Sequence, residues 1–246
     1  MNYIIRPCAT RDELAACVAL QKEVWGYSDL EVYPLRLFVN LGRIGGHVLG
    51  AFAAHGQLVG FVASLPAWRE GERYYHSLSL GVLPAHENRG LGRALKLAQR
   101  EHALGEGVER IEWTFDPLRV KNAFFNIARL GAICRRYLAD YYGPVDSRLQ
   151  HGLPSDRLVA EWWLESSRVG RALAGKPPRA ARKKPAAEIL IPGDIESLKK
   201  SRPSEAQAVQ AAVRAQFEKH FAHQLAVTGF VLEGTKARYL LDPYED

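Results

Sequence analysis

The 246-residue sequence predicts an α/β fold with a mixed, mostly antiparallel central sheet, helices on both faces, and a C-terminal extension of one helix and a hairpin. Short stretches of alternating apolar and polar residues, typical of strands, alternate with longer stretches of helical spacing. One strand ends in a glycine-rich turn that leads directly into an amphipathic helix. Hydrophobic residues make up 47% and charged residues 24% of the chain, the composition of an ordinary globular protein with a buried core.

Local start and stop signals divide the first half of the chain. Thr10 and Glu13 have the spacing of a capping box, so a helix is expected to begin at Arg11. Pro34 opens a second helix, which Gly45-Gly46 ends. The predicted order is strand 3–6, helix 11–25, a helix from 34, strands 47–54, 58–65 and 74–83, helix 91–105 and strand 110–115.

The second half of the chain ends in an extension. The predicted elements are helix 118–130, strands 132–141 and 158–165, helix 204–223 and hairpin strands 226–232 and 237–241. Residues 174–192 are rich in proline, alanine and basic residues and are expected to form an exposed linker. We therefore expect a domain over 1–170, a basic linker over 171–200 and an extension over 201–246. The apolar residues of the extension predict that it packs on its own chain or on a second subunit in a homodimer.

Much of the net charge of +6 lies in the expected linker. Five positive charges and no acid occur between Lys176 and Lys184, so the rest of the chain is nearly neutral. No aromatic residue is interleaved with them, which argues against a nucleic-acid partner. No apolar run approaches the roughly 20 residues of a membrane span, and the N-terminus lacks a signal-peptide pattern. Three widely spaced cysteines suit reduced thiols, so we expect a cytoplasmic protein without a membrane partner.

The turn after the expected strand 74–83 carries the clearest functional signal. From Val82 the sequence reads Val-Leu-Pro-Ala-His-Glu-Asn-Arg-Gly-Leu-Gly-Arg, and an amphipathic helix starts at the two glycines. The first N–H groups of a helix lack intrahelical acceptors and lie at the positive end of its dipole, and glycine lets a ligand approach the backbone. Arg89 and Arg93 add positive charge. Together these features predict a pyrophosphate site.

Two better-known phosphate loops do not fit this turn. A nucleoside-triphosphate loop would have Lys-Ser/Thr after the second glycine, and a dinucleotide fingerprint would have a third glycine three residues on. Instead, Glu87-Asn-Arg-Gly-Leu-Gly resembles the acyl-CoA loop of the GNAT N-acyltransferase superfamily, usually written Arg/Gln-x-x-Gly-x-Gly/Ala, although Glu87 departs from its first position. The resemblance covers about residues 3–165. Within it, the run Glu112-Trp-Thr-Phe-Asp-Pro-Leu resembles a less-studied subgroup of these acetyltransferases.

The resemblance implies acyl transfer from acetyl-CoA, or from another acyl-CoA, to an amine, without a metal. Gly81 and Val82 would pair with the pantetheine amides as an added strand does. The pyrophosphate would be held by the backbone of the loop, formed by Asn88, Arg89, Gly90, Leu91, Gly92 and Arg93. Asn122 and Asn126 are four residues apart on an expected helix face and could hydrogen-bond the pantetheine or the thioester; ordinary surface asparagines are the alternative.

Direct attack by an amine needs a base and often an acid for the leaving thiolate. Counting back from Glu87 by the family's spacing reaches His76, which could act directly or through a water, unless it is a packed strand residue. Glu112 on the neighbouring strand is the second candidate base. The tyrosine that usually serves as the acid in the family corresponds to Ile127 here, so this acid is missing. Tyr137, Tyr141 or Tyr142 on the following strand could replace it, although aromatic residues in a strand usually serve packing. We select Tyr142.

The acceptor is expected to be the amine of a small metabolite, for example an amino acid. The loop 27–36 lies where the family closes over the acceptor, so Glu31, Tyr33 and Arg36 are candidate acceptor residues. Asp116 is a further candidate, although its position before a proline is most simply that of a helix cap.

Other functions are kept as alternatives. An acyl-CoA-binding sensor that has lost catalysis is supported by the missing tyrosine and opposed by His76. A protein or peptide N-acetyltransferase is a variant of the leading hypothesis. A metal site at His220 and His223 is not expected, because a pair at i, i+3 without further ligands is usually a helix surface.

Overall fold

The computed structural model describes residues 3–143, 153–178, 184–234 and 236–244, and the chain divides into two compact units. The first unit extends to Glu112 and the second begins at Trp113, so the division falls inside one strand. The predicted fold class, a mixed and mostly antiparallel sheet with helices, is confirmed.

The first unit is a sheet with three helices. Its elements are β1 (Ile4–Pro7), α1 (Arg11–Trp25), α2 (Leu35–Leu41), β2 (His47–Phe52), β3 (Leu58–Arg69), β4 (Glu72–Val82), α3 (Leu91–Gly105) and the start of β5 (Arg110–Phe115). The strands follow the order β1-β2-β3-β4-β5. All neighbours are antiparallel except β4 and β5, which are parallel.

The helices of the first unit cover both faces of its sheet. Phe61 and Val62 are adjacent on β3 and therefore point to opposite faces. On one face, Phe61 belongs to a core with residues of α1 and α2: Cys17, Leu20, Phe38 and Leu41. On the other face, Val62 packs in a second core with Leu91 and Leu95 of α3.

A β-bulge interrupts the register between β3 and β4. Ser64 lies opposite Ser77, but the preceding Ala63 lies opposite Ser79, so Leu78 is an extra residue on β4. Bulges bend a strand and redirect its side chains. The bulge lies two residues beyond His76, one of the two residues of β4 that pair with β5.

The second unit contains the end of β5 and the remaining elements. These are α4 (Val120–Ala123), β6 (Ile133–Leu138), β7 (Arg157–Trp163), α5 (Ser167–Leu173), β8 (Ala187–Pro192), α6 (Ile195–Ser201), α7 (Pro203–Ala222), β9 (Leu225–Glu233) and β10 (Lys236–Pro243). The strands follow the order β5-β7-β6-β9-β10-β8. The pairs β6–β7, β6–β9, β9–β10 and β10–β8 are antiparallel.

Two regions of the second unit differ from what the sequence predicts. The expected helix 118–130 is one α-helical turn, α4, followed by a π-helical segment, Phe124–Arg129. The expected exposed linker contains strand β8, because Ile189 and Ile191 alternate with exposed residues and are buried while β8 pairs with β10. Residues 179–183 of that linker lie outside the described residues, and domain boundaries at 170 and 200 stay a prediction.

The C-terminal elements pack on strands of their own unit. β9 pairs with β6 at Val227 and Cys134. The ring of Phe217 on α7 stacks on that of Tyr137 on β6, with 5.5 Å between the ring centroids. The extension therefore docks on its own chain, and the homodimer stays a prediction.

The three cysteines are thiols, and Cys17 and Cys134 are buried. No helix in the described part of the chain has the length and apolarity that crossing a bilayer requires. The cytoplasmic location stays a prediction.

Candidate functional site

The glycine-rich turn joins β4 to α3 in the first unit. After Val82 the chain makes one 3-10 turn, Pro84–His86. Asn88 and Gly90 then adopt left-handed conformations, with φ of 58° and 80°. Gly90 is the N-cap of α3, and among the described residues no side chain caps this helix end. The N-terminus of α3 thus lacks a side-chain cap within the described part of the chain, the situation in which the first N–H groups of a helix can bind an anion.

The turn is exposed, and Tyr3, the residue before β1, contacts two of its residues. Residues 87–90 are exposed. The Tyr3 hydroxyl lies 3.0 Å from Nδ1 of His86 and accepts a hydrogen bond from Arg89 at 3.4 Å. The exposed N-terminus of this 15-residue helix, with arginines beside it, is a favourable place for a phosphate group. The geometry predicted for the turn from its sequence is therefore present.

The structure favours glycine at positions 81 and 90 for two different reasons, and neither applies at position 92. A Cβ on Gly92 would meet only the Leu80 side chain, at 3.6 Å, which is ordinary contact. Gly90 is constrained by its positive φ. A Cβ on Gly81 would lie 3.1 Å from both Leu20 and Trp25, so Gly81 allows α1 to pack closely on β4. Space alone therefore does not require glycine at position 92.

His76 and Glu112 are neighbours across the parallel pair β4–β5. His76 is half-buried, whereas the Glu112 side chain is only 2% exposed. The Glu112 carboxylate accepts a hydrogen bond of 2.8 Å from Nη1 of Arg69 and a second from Nη2, and Nε of Arg110 lies 3.3 Å away. Both Glu112 oxygens are thus engaged by guanidinium groups.

The candidate acid and the asparagines lie in the second unit. Tyr142 is exposed in a turn beyond β6, and its hydroxyl lies 3.0 Å from Oγ1 of Thr114. Asn122 is exposed on α4, but Asn126 lies in the π-helical segment and is only 4% exposed. The two asparagines therefore differ in environment although they are four residues apart.

Asp116 has structural partners in the second unit. Its Oδ1 accepts a hydrogen bond of 2.8 Å from the N–H of Leu118, and its Oδ2 lies 3.3 Å from Nζ of Lys199 on α6. Arg119, not Asp116, is the N-cap residue of α4. Asp116 therefore stabilises the turn before the helix.

The candidate acceptor residues of the first unit lie around the connection from α1 to α2. The buried Gln21 side chain holds the backbone of Tyr33, donating to its carbonyl at 3.1 Å and accepting from its N–H at 2.9 Å. Glu31 is half-buried and Arg36 is exposed on α2. Gln21 thus orders this connection, which the sequence pattern did not indicate.

A buried polar cluster behind β4 was not predicted from the sequence. Nζ of Lys96 donates to Oγ of Ser77 at 3.0 Å and to Oε1 of Gln99 at 2.9 Å. Nε2 of Gln99 donates to Ser64 at 2.6 Å and to Ser77 at 3.2 Å. One sequence signal could have found it, since Gln99 continues the apolar stripe formed by Leu91 and Leu95 on α3.

Burial sets the protonation of the basic groups in this region. Burial lowers the pKa of Lys96 well below its ordinary value. The pKa of His47 is lowered to about 3, mainly by burial and further by the positive charges of His102 and Lys96. The His47 ring packs 4.3 Å from that of His102, centroid to centroid. His47 is therefore neutral at pH 7.

No group of three or more His, Cys, Asp or Glu side chains within the described ranges could hold a metal ion. His220 and His223 accordingly lie on or next to α7 without forming such a group. The mixed, mostly antiparallel sheet with its helices, and the glycine-rich turn that leads from β4 into α3, fit the predicted acyl-CoA N-acyltransferase fold.

Solved structures support this class. The chain is similar to NAA60 of Arabidopsis thaliana in complex with a bisubstrate analogue, at 17% identity and a TM-score of 0.53, covering 66% of this chain and 98% of that one. It is similar to the ribosomal-protein-S18-alanine N-acetyltransferase of Escherichia coli, at 15% identity and a TM-score of 0.52, covering 68% and 96%. It is also similar to yncA of Salmonella typhimurium, solved with its cofactor acetyl-CoA, at 17% identity and a TM-score of 0.51, covering 68% and 96%.

A match to a family model comes from the sequence of the chain itself. Residues 12–128 match the model of the Acetyltransferase (GNAT) family. This match confirms the predicted resemblance over those residues. A comparison with curated proteins gave no match.

Proposed function

We propose that the chain transfers an acetyl or other short acyl group from CoA directly to the amine of a small metabolite, for example an amino acid. The observation that carries the proposal is the uncapped N-terminus of α3, which follows two left-handed residues, Asn88 and Gly90. Backbone N–H groups and the positive end of the helix dipole there would favour a bound diphosphate.

The pantetheine arm is proposed to follow β4. β4 pairs with β3 along its length, whereas its register with β5 covers Tyr75 and His76. The bulge at Leu78, two residues beyond His76, bends the strand. Gly81 and Val82 then supply backbone groups with which the pantetheine amides could pair as an added strand.

The proposed base is His76. Its neutral imidazole takes the proton from the incoming ammonium, directly or through a water, and the neutral nitrogen attacks the thioester carbonyl carbon. The new C–N bond forms and the C–S bond breaks, and the second proton that the attacking nitrogen gives up is taken up by the leaving CoA thiolate. Glu112 is less suited to this role because Arg69 and Arg110 already engage its oxygens.

The remaining candidates are assigned by what their side chains contact. Asp116 is proposed as a structural residue, since its oxygens are occupied by Leu118 and Lys199. Asn122, Asn126 and Tyr142 stay predictions as cofactor and acid residues, and Glu31, Tyr33 and Arg36 stay predictions as acceptor residues.

The cofactor part of the proposal is tested with Gly92→Val. The fold accepts a Cβ at this position, but a branched side chain would shield the N–H groups at the start of α3. We expect a folded protein that has lost most of its acetyl-CoA affinity in calorimetry. Gly105→Val at the last residue of α3, where an added Cβ would have no neighbouring element within 4 Å, is the matched control and should bind normally.

Unchanged binding by a folded Gly92→Val protein would contradict the loop assignment. The acceptor is identified by screening acyl-CoA donors against pooled amines and peptides while measuring free thiol release. Thiol release with small amines supports the proposed function, and release with peptides alone replaces it by peptide acetylation. Acetyl-CoA binding without thiol release with any acceptor would favour the sensor function.

A further inference from the structure

The buried cluster behind β4 connects the two parts of the proposed machinery in the first unit. Lys96 lies in the second turn of α3, whose N-terminus is the proposed pyrophosphate site. Its partner Ser77 lies on β4 directly after His76. One hydrogen-bonded network thus joins the helix that would hold the cofactor to the strand that carries the proposed base.

The network holds both strands at the place where their register shifts. Ser64 and Ser77 are partners across β3 and β4, and the shift begins at the next residue of β3, Ala63. Nε2 of Gln99 donates to both hydroxyls, at 2.6 Å to Ser64 and 3.2 Å to Ser77. Because successive side chains of a strand point to opposite faces, moving the bulge by one residue would turn side chains of β4 to the other face.

The cluster is costly as a purely structural element. Lys96 is 2% exposed and Gln99 is completely buried. Burying a lysine amine and a polar amide costs desolvation free energy that their hydrogen bonds must offset, and replacing whole buried polar groups by apolar residues of similar volume is often neutral or stabilising. A role in fixing one arrangement among several explains the cluster better than stability does.

We propose that Lys96, together with Gln99, is a positioning residue that fixes the bulge at Leu78 and thereby the direction of His76 relative to the N-terminus of α3. This inference rests on the proposed function, because it assigns Lys96 to the placement of the proposed base. Lys96 does not contact the reacting atoms in this role, since it lies on the α3 face of the sheet.

The test is Lys96→Met in the full chain, with Lys200→Met as the control. Methionine fills a similar volume without the amine, and Lys200 is an exposed lysine on α6. We expect Lys96→Met to melt at the same or a higher temperature and to bind acetyl-CoA with unchanged affinity in calorimetry. Its kcat should fall about 2- to 30-fold, the range for residues that act on a site through packed neighbours, with little change in KM for acetyl-CoA. Lys200→Met should match the wild type in all four measurements.

Ser77→Ala provides a second variant that removes the same link with a smaller change. We expect it to lower kcat in the same direction, and we expect the double variant to lose no more than Lys96→Met alone, because both substitutions break one network. If Lys96→Met does not fold, Ser77→Ala alone decides the question through the same measurements.

Unchanged kcat in a folded Lys96→Met or Ser77→Ala protein would overturn the inference. So would a lower melting temperature accompanied by a proportional loss of acetyl-CoA binding, since that is the result of a merely structural role. Failure of the proposed function looks different, because the wild-type chain would then bind no acetyl-CoA or release no thiol with any acceptor.

Discussion

His76 and Glu112 are adjacent in register but differ in what surrounds them. Two arginines engage the carboxylate, whereas the half-buried histidine lies beside it on β4. Removing a general base typically costs on the order of 100- to 10,000-fold in rate. We therefore expect His76→Ala to bind acetyl-CoA normally and to lose turnover by that order, with partial recovery at high pH, where more of the amine is already neutral.

Steady-state kinetics across pH, with calorimetry of acetyl-CoA binding, checks this expectation. A packing histidine would give a lower melting temperature and an unchanged pH profile. If turnover stays within a few-fold of the wild type, His76 is not the base, and the enzyme works mainly by holding its two reactants together.

His47 makes the stability of the chain sensitive to acid. Its pKa is lowered from 6.5 to about 3, mainly by burial. Below pH 6.5 the unfolded chain binds a proton at this residue that the folded chain does not, so the free energy of unfolding falls by up to about 1.4 kcal/mol per pH unit until about pH 3. Neither ring nitrogen has a hydrogen-bond partner among the described residues.

His47→Phe should remove this sensitivity. Phenylalanine keeps the edge-to-face contact with Tyr75, where the ring centroids are 4.9 Å apart, and cannot take up a proton. Urea unfolding at pH 6.5 and pH 5 should show the wild type losing up to about 2 kcal/mol more than the variant. Equal losses in the two proteins would show that His47 does not carry the acid sensitivity.

At the scale of single elements, local signals predicted α1, α3 and β5 to the residue. Thr10 and Glu13 form the expected capping box, and Gly90 provides the turn that begins α3. These signals act within a few residues, so they are readable in the sequence. The conformation of the glycine-rich turn was predictable for the same reason, and its role as a pyrophosphate site stays a prediction.

Other features depend on partners far away in the sequence. The bulge at Leu78 is defined only by pairing with β3, and Glu112 meets an arginine 43 residues away. The π-helical segment Phe124–Arg129 has no composition that distinguishes it from an α-helix. The sequence of β8 suggests a linker because its short alternation of apolar and polar residues lies next to a proline- and lysine-rich stretch. The strand forms by pairing with β10, which lies far away in the sequence. Local patterns cannot encode these long-range choices.

At the scale of the whole molecule, the C-terminal extension is part of the fold. Arg214 on α7 forms a two-point hydrogen-bonded ion pair with Asp156, at 2.9 and 2.6 Å. The Asp156 side chain is completely buried and also accepts a hydrogen bond of 2.6 Å from the Tyr137 hydroxyl. The pKa of Arg214 is raised chiefly by its hydrogen bond to Asp156. The extension thus carries the cation for a buried carboxylate beside β7.

Substitutions of two arginines, Arg214 on α7 and Arg202 at its N-cap, distinguish the contribution of α7 docking to stability from that of an exposed ion pair. Arg214→Met leaves the buried Asp156 without its cation, and breaking a buried pair in this way costs about 3 to 5 kcal/mol. Arg202→Met breaks the pair with Glu205, whose side chains are 65% and 50% exposed, and exposed pairs of this kind contribute about 0 to 1 kcal/mol. Urea unfolding should therefore show a large loss of unfolding free energy for Arg214→Met and almost none for Arg202→Met.

Equal effects of the two substitutions would mean that the docking of α7 contributes little to stability. Deletion of the chain from Ser201 onward should then leave a stable, monodisperse protein. If docking is as the contacts indicate, that deletion uncovers Tyr137 and the rest of β6, and the shortened chain aggregates.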